Sequence, residues 1–282
     1  MAVVRTRGAG VLAVAVAVFG MTLIGPSVPD DTPRLVPSLP PGAPGRIVPD
    51  RVMSWNICNP CKQGDIDRAR EIATHAPQVV GLQEACVRDV ERMRDHLRNL
   101  YGLKYHVAYG PVLRHRGRCG GMPWRPGGFG QAILSAAPIT DRVLVEYPDG
   151  GSEDRGYLAV TTRVGGRPLR VFTTHLAQRS QAAVREGQVR VLAAAVAGHR
   201  RAVVLGDFNA VPDAAELAPM WAASADADPG CRPPATGACA PTTDWSSKFD
   251  YVFLRGVTAR GHRVHPTPYS DHDLVTADLA PG

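Results

Sequence analysis

The feature that most constrains this chain is a recurring local pattern: a short apolar run that closes on a polar side chain. Its clearest instance is Ala202–Ala210, Ala-Val-Val-Leu-Gly-Asp-Phe-Asn-Ala. Ala202–Leu205 has the length and composition of a buried strand, and Gly206 lets the backbone turn or approach a neighbour closely. Asp207 and Asn209 stand two apart, so in extended chain both side chains point the same way. A carboxylate beside an amide at a strand end suits a hard cation or a phosphate; the plainer reading is a turn in which both bond their own backbone. Similar endings recur elsewhere. Arg51–Ile57 carries Asn56, Gln78–Leu82 runs into Gln83 and Glu84, and Leu169–Thr174 ends at His175. Lys248–Leu254 carries Asp250 early, and Asp271-His272 precede a last run, Leu274–Leu279.

Between these runs lie stretches with helical spacing: Ile66–His75, Val87–Leu100, Gln178–Gly198 and Asp213–Ala223. Strands and helices that alternate predict an α/β fold. Gly165-Gly166 marks a hairpin joining Tyr157–Val164 to Leu169–Thr174. Gly130–Ser135 and Ile139–Glu146 read as paired strands joined through Ala137-Pro138.

The 282 residues, 44% apolar, suffice for one large α/β domain and a leader. Residues 1–25 have the form of a targeting segment, with Arg5 and Arg7 ahead of the apolar run Ala9–Ile24. The run fits a signal peptide, and without a clean cleavage signature an uncleaved anchor stays open. Residues 26–46, rich in Pro and Gly, read as a linker, leaving 47–282 as the folded domain. Behind a signal peptide, six cysteines imply disulfides in a secreted protein. Cys231 and Cys239 bracket a Pro/Gly-rich loop and are the candidate bridge. A zinc site at Cys58-Asn-Pro-Cys61 lacks a second pair of ligands and is set aside.

Asn56, Glu84, His175, Asp207, Asn209, Asp250, Asp271 and His272 form an oxygen-rich set, which suits Mg2+, with Mn2+ or Ca2+ as alternatives, better than zinc. Glu84 and Asp271 are the natural carboxylate ligands. The two histidines are then free for acid–base work near neutral pH. A hydrated cation, a histidine–carboxylate pair and amide or Arg donors are what phosphodiester hydrolysis needs.

The segments Trp55-Asn56, Gly81-Leu82-Gln83-Glu84, Gly130–Ser135, Thr174-His175-Leu176, Gly206-Asp207-Phe208-Asn209, Asp250-Tyr251-Val252 and Ser270-Asp271-His272 occur in this order. The ordered set resembles the endonuclease/exonuclease/phosphatase superfamily, the fold of DNase I, from about Arg46 to Leu279. The resemblance implies a four-layer α/β sandwich: two mixed β-sheets packed face to face, helices outside, the site at one edge. The halves 47–165 and 168–280 would each supply one sheet. It implies Glu84, Asp271 and Asn56 at the metal, and Arg155, Asn209 and Asn56 at the scissile phosphate. His175 and His272 would be the catalytic histidines, Asp250 would orient His272, and Asp207 with Asn209 would orient water and phosphate. No glutamate ahead of Gly130 matches the one that DNase I-type enzymes pair with the first histidine.

The function expected is a secreted, metal-dependent phosphodiesterase, monomeric and without an obligate protein partner. Nucleic acid is the favoured substrate. The formal charge of +6 and the Arg- and Gly-rich stretch Pro111–Gly128, which includes Trp124, favour a polyanion. The alternative is a sphingomyelinase-like or inositol-phosphate enzyme, for which Trp124 and Trp245 are the candidate lipid contacts. A binding module that has lost catalysis is a third reading, disfavoured because every matched position keeps its residue type. The other seven histidines read as surface or loop residues.

Overall fold

The structure is a computed structural model that describes residues 45–281 except 60, 62–63, 179, 235–236 and 238. The leader and most of the linker expected at residues 1–46 lie outside the described residues.

In chain order, β1 (Val48–Asn56) leads through α1 (Asp65–His75) to β2 (Pro77–Cys86) and α2 (Val87–Tyr101). Next come β3 (His106–Arg114), a short turn of helix α3 (Arg116–Cys119) and the small hairpin β4 (Gly121–Met122) with β5 (Arg125–Pro126). β6 (Gly128–Ser135), β7 (Thr140–Glu146), β8 (Gly156–Val164) and β9 (Arg167–His175) follow. α4 (Ala182–Ala197), β10 (Ala202–Asp207), α5 (Ala218–Ala223) and β11 (Ala225–Asp226) precede β12 (Asp250–Arg255), β13 (Ala259–His265) and β14 (Leu274–Leu279).

The strands form two mixed six-stranded sheets, ordered β13-β14-β1-β2-β6-β3 and β11-β12-β10-β9-β8-β7. The period of two decides which layer each side chain enters. Val52 of β1 joins Val79, Val203 and Leu205 between the sheets, while Met53 and Trp55 pack under α1 and α2. In the second sheet Val204 and Phe253 face α4 and α5. The result is the α/β/β/α sandwich. Gly81 lets the sheets approach closely, since a Cβ there would lie 2.7 Å from that of Leu205.

Two expectations need correction. β6 and β7 do not pair: β6 lies between β2 and β3, and β7 pairs with β8 in the other sheet. Residues 136–139 carry the chain across, a step that strand periodicity cannot reveal. For the same reason the halves 47–165 and 168–280 do not map onto the sheets. β7 and β8 belong to the second sheet, and β13 and β14 return to the first beside β1. The stretch Pro111–Gly128 holds the end of β3, α3 and the β4–β5 hairpin. β3 runs to Arg114, and Cys119 is bonded to Cys86, which ties α3 to the end of β2. Cys58–Cys61 and Cys231–Cys239 are the other two disulfides.

Candidate active site

Strand register assembles the centre of the site. β10 lies between β9, to which it is parallel, and β12, to which it is antiparallel, so His175, Asp207 and Asp250 stand abreast. Gly206 permits this closeness: a Cβ there would meet the Thr174 side chain and carbonyl at 2.8 Å. Asn209 is not in extended chain as the spacing suggested. It adopts φ +50, a left-handed conformation that Asn tolerates. Its amide N–H bonds Asp207 Oδ1 at 2.8 Å. The turn reading therefore holds for one carboxylate oxygen, and the other is left facing the side chains around it. Asp207 Oδ2 accepts from Asn56 Nδ2 at 3.0 Å and lies 3.3 Å from His175 Nε2 and 3.7 Å from His272 Nε2.

The first sheet contributes Asn56 and Glu84. Leu82 pairs with Ala132 and Ala85 with Gly130, so Gln83 and Glu84 together oppose Gln131 alone. This bulge, with Glu84 at φ +55, turns its carboxylate toward the cavity, where Asn56 Nδ2 meets Oε1 at 3.3 Å. His272 is held from three sides. Its N–H bonds Ser270 Oγ at 3.1 Å, its carbonyl accepts from the Trp55 indole at 3.2 Å, and its Nδ1 is 2.8 Å from Asp250 Oδ2. The same Asp250 oxygen accepts from Thr242 Oγ1 at 2.8 Å.

His175, Asp207, Asn209 and His272 line a cavity of about 370 Å3 with Glu84, Arg155, Gln178, Ser180, Trp245 and Phe249, while Asn56 and Asp250 bond to Asp207 and His272 without lining it. Asp271 is not among the lining residues. Its carboxylate lies within 4.8 Å of the Cys58 and Cys61 sulfurs. Arg155, buried, is clamped by Glu153 at 2.8 Å, which also pairs with Arg118 at 2.6 Å. Arg155 Nη1 stands 3.3 Å from His175 Nδ1. The group beside the first histidine is thus an arginine backed by a glutamate from the β7–β8 connection. Sequence reasoning missed Glu153, and its spacing from Arg155 offered no signal. Trp245, expected only as a candidate lipid contact, meets His272 with its ring edge at 5.5 Å between centroids, and Thr242 offered no signal.

The electrostatics divide the histidines. Burial, then the positive charges of Arg155 and His272, hold His175 well below the usual imidazole range, so it is neutral. Burial works against charge on His272 too, but Asp250 and Asp207 outweigh it and push it up to about 10. Burial also raises Asp207, to about 6, against the pull of His272.

Asp207, Asp250 and His272 offer three ligand atoms within 4.8 Å, but His272, held positive between the two carboxylates and bonded to Asp250 at 2.8 Å, already supplies a cation there. Glu84 is the better seat for a hard cation: its carboxylate faces the cavity, and Mg2+ asks for only one or two carboxylates. Asn56, whose Oδ1 accepts from Cys58 N at 3.0 Å, turns its amide nitrogen to the carboxylates instead.

The family comparison agrees with this architecture. The model of the Endonuclease/Exonuclease/phosphatase family matches residues 53–272, and the chain belongs to this family, whose members are phosphoesterase hydrolases. An endonuclease/exonuclease/phosphatase from Beutenbergia cavernae is similar at 25% identity and TM-score 0.67, over 82% of this chain and 71% of that one. The D. rerio TDP2 complexed with single strand DNA product is 19% identical, TM-score 0.65, over 82% and 98% of the two chains. The human Nocturnin catalytic domain is 20% identical, TM-score 0.64, over 84% and 96%. These last two speak for the fold. No curated protein sequence matches.

Proposed function

We propose that this protein is a secreted, metal-dependent phosphodiesterase acting on nucleic acid. The observation that carries the reading is the split of the two histidines around Asp207. A neutral imidazole and an imidazolium flanking a carboxylate are a matched acid–base set. Asp207, ionised above about pH 6, orients the attacking water and accepts its proton. The His272 imidazolium, backed by Asp250, neutralises charge on the phosphoryl oxygens and carries the proton needed by the leaving oxygen. Arg155, Asn209 and neutral His175 hold the remaining oxygens. A divalent cation at Glu84, with Asn56 beside it, would stabilise the charge that builds on the phosphate.

The nucleic-acid preference draws on the region after β3. Trp124, 79% exposed, borders a cleft of about 680 Å3 with Arg88, Arg114 and Arg125. An exposed indole among arginines suits a base stacked above a backbone. The solved relative described with a single strand DNA product is compatible with this choice. Secretion is supported by three disulfides, and no helix among the described residues is long and apolar enough to cross a membrane.

The test is hydrolysis of DNA, RNA, sphingomyelin and an inositol phosphate, with and without Mg2+. Metal-dependent cleavage of DNA or RNA is expected. Cleavage of sphingomyelin alone would replace nucleic acid by lipid, and no hydrolysis of any of the four would leave the binding-module reading.

A further inference from the structure

The end of the sandwich opposite the catalytic cavity gathers arginines. β9 runs nine residues from Arg167 to His175, so its two ends lie about 26 Å apart at about 3.3 Å per residue. At the far end, a cavity between the two sheets is lined by Asp50, Arg167 and Arg201. Arg201 also borders a second cavity with Arg170 and Arg200. Asp50 faces Arg260 at 3.9 Å, and Arg260 opens a third cavity with Arg51 and Arg263. The basic surface is therefore continuous across both sheets. Its acids are few: Asp50 shares Arg260, Asp278 is taken by Arg51 at 2.8 Å, and Asp141 lies at the margin beside Arg170. Arg167, Arg200, Arg260 and Arg263 are exposed, and none of the four serves the catalytic cavity.

Two observations select the partner. The exposed tryptophans, Trp124 and Trp245, lie in the cleft after β3 and at the catalytic cavity, so among the described residues this end has no exposed tryptophan on which to stack a base. The chain also enters the domain here, where Val48 pairs with Pro77, and its upstream sequence carries the apolar run Ala9–Ile24 behind Arg5 and Arg7. We infer that this arginine-rich end is a docking surface for an anionic phospholipid bilayer, which turns the catalytic cavity away from the lipid. Guanidinium groups pair bidentately with phosphate oxygens, and arginines near a charged leaflet add their attractions.

The test uses the full chain in flotation with phosphatidylcholine vesicles, with and without phosphatidylglycerol. Binding to the anionic vesicles is expected to exceed that to neutral ones by about tenfold or more and to fall with salt. The variant R167E/R200E/R260E/R263E should lose this preference while keeping its melting temperature and its hydrolysis of a soluble phosphodiester. The variant R114E/R125E, in the cleft after β3, should keep the preference. The inference is overturned if the fourfold variant still prefers anionic vesicles, or if R114E/R125E alone abolishes the preference. It is equally overturned if the fourfold variant loses binding to duplex DNA but not to vesicles. Vesicle binding and hydrolysis are separate readings, so failure of one leaves the other standing.

Discussion

His272 in the catalytic cavity and the pair His75 and His265 at the edge of the first sheet sit beside opposite charges, and they respond in opposite directions. In the catalytic cavity Asp250 and Asp207 overcome burial and push His272 up to about 10. At the edge of the first sheet, His75 and His265 have ring centroids 4.0 Å apart. Burial, reinforced for His75 by His265 and for both rings by Arg51, pushes each down to about 4. These two were expected to be ordinary surface residues, yet α1 and β13 bring them together and half bury them. The contrast teaches that an imidazole becomes an acid or a neutral filler according to the charge across the strand.

The sharpest way to break the contrast is Asp207→Asn. It should lower kcat/KM on a diester substrate by about 10^3-fold while leaving stability at pH 8 unchanged or higher, since an ionised buried carboxylate is costly. Near-normal turnover would remove Asp207 from the chemistry. Second is the pH profile. Activity should fall on the acid side as Asp207 protonates through about pH 6. Because the folded His272 value lies above its unfolded one, its stabilisation is full below about 6.5 and is lost as pH rises through about 10. Asp250→Asn should pull that alkaline limb to lower pH, and an unmoved limb would uncouple the pair.

The third effect is smaller. Replacing Cys86 and Cys119 by Ser frees α3, and with it Arg118, from the end of β2. Binding of single-stranded nucleic acid should weaken several-fold, more than turnover of a small diester. Equal losses in both would mean that the bridge serves the catalytic cavity as a whole. The smallest effect belongs to the His75–His265 pair. His75 and His265 have folded values below their unfolded ones, so their stabilisation is present above about pH 6.5 and is lost as pH falls through about 4. His75→Gln should flatten the decline in melting temperature between pH 6 and 4 and change little at pH 8. Thermal melts across that range check it.

Much of this site was legible before any coordinates. Apolar runs ending in Asn56, Glu84, His175 and Asp207 betray themselves because a buried strand tolerates a polar residue only where it opens to a cavity or meets a partner. The partners themselves were not legible. Glu153 comes from a connection without periodicity, Thr242 from an irregular segment, and the bulge at Glu84 exists only because β6 supplies one residue against two. Asp271, named from the resemblance, lies beside the Cys58–Cys61 bridge and outside the cavity lining.

The sequence by itself determined the α/β class, the strand and helix order and the main chemistry-bearing residues, because periodicity and burial act over a few neighbouring residues. Only the tertiary structure decided which strands share a sheet and which histidine carries a proton. It also decided that the arginines collect at the end away from the cavity. Those outcomes depend on distances between residues far apart in the chain: β14 must return to β1, and His272 must reach Asp250, before either charge can be assigned.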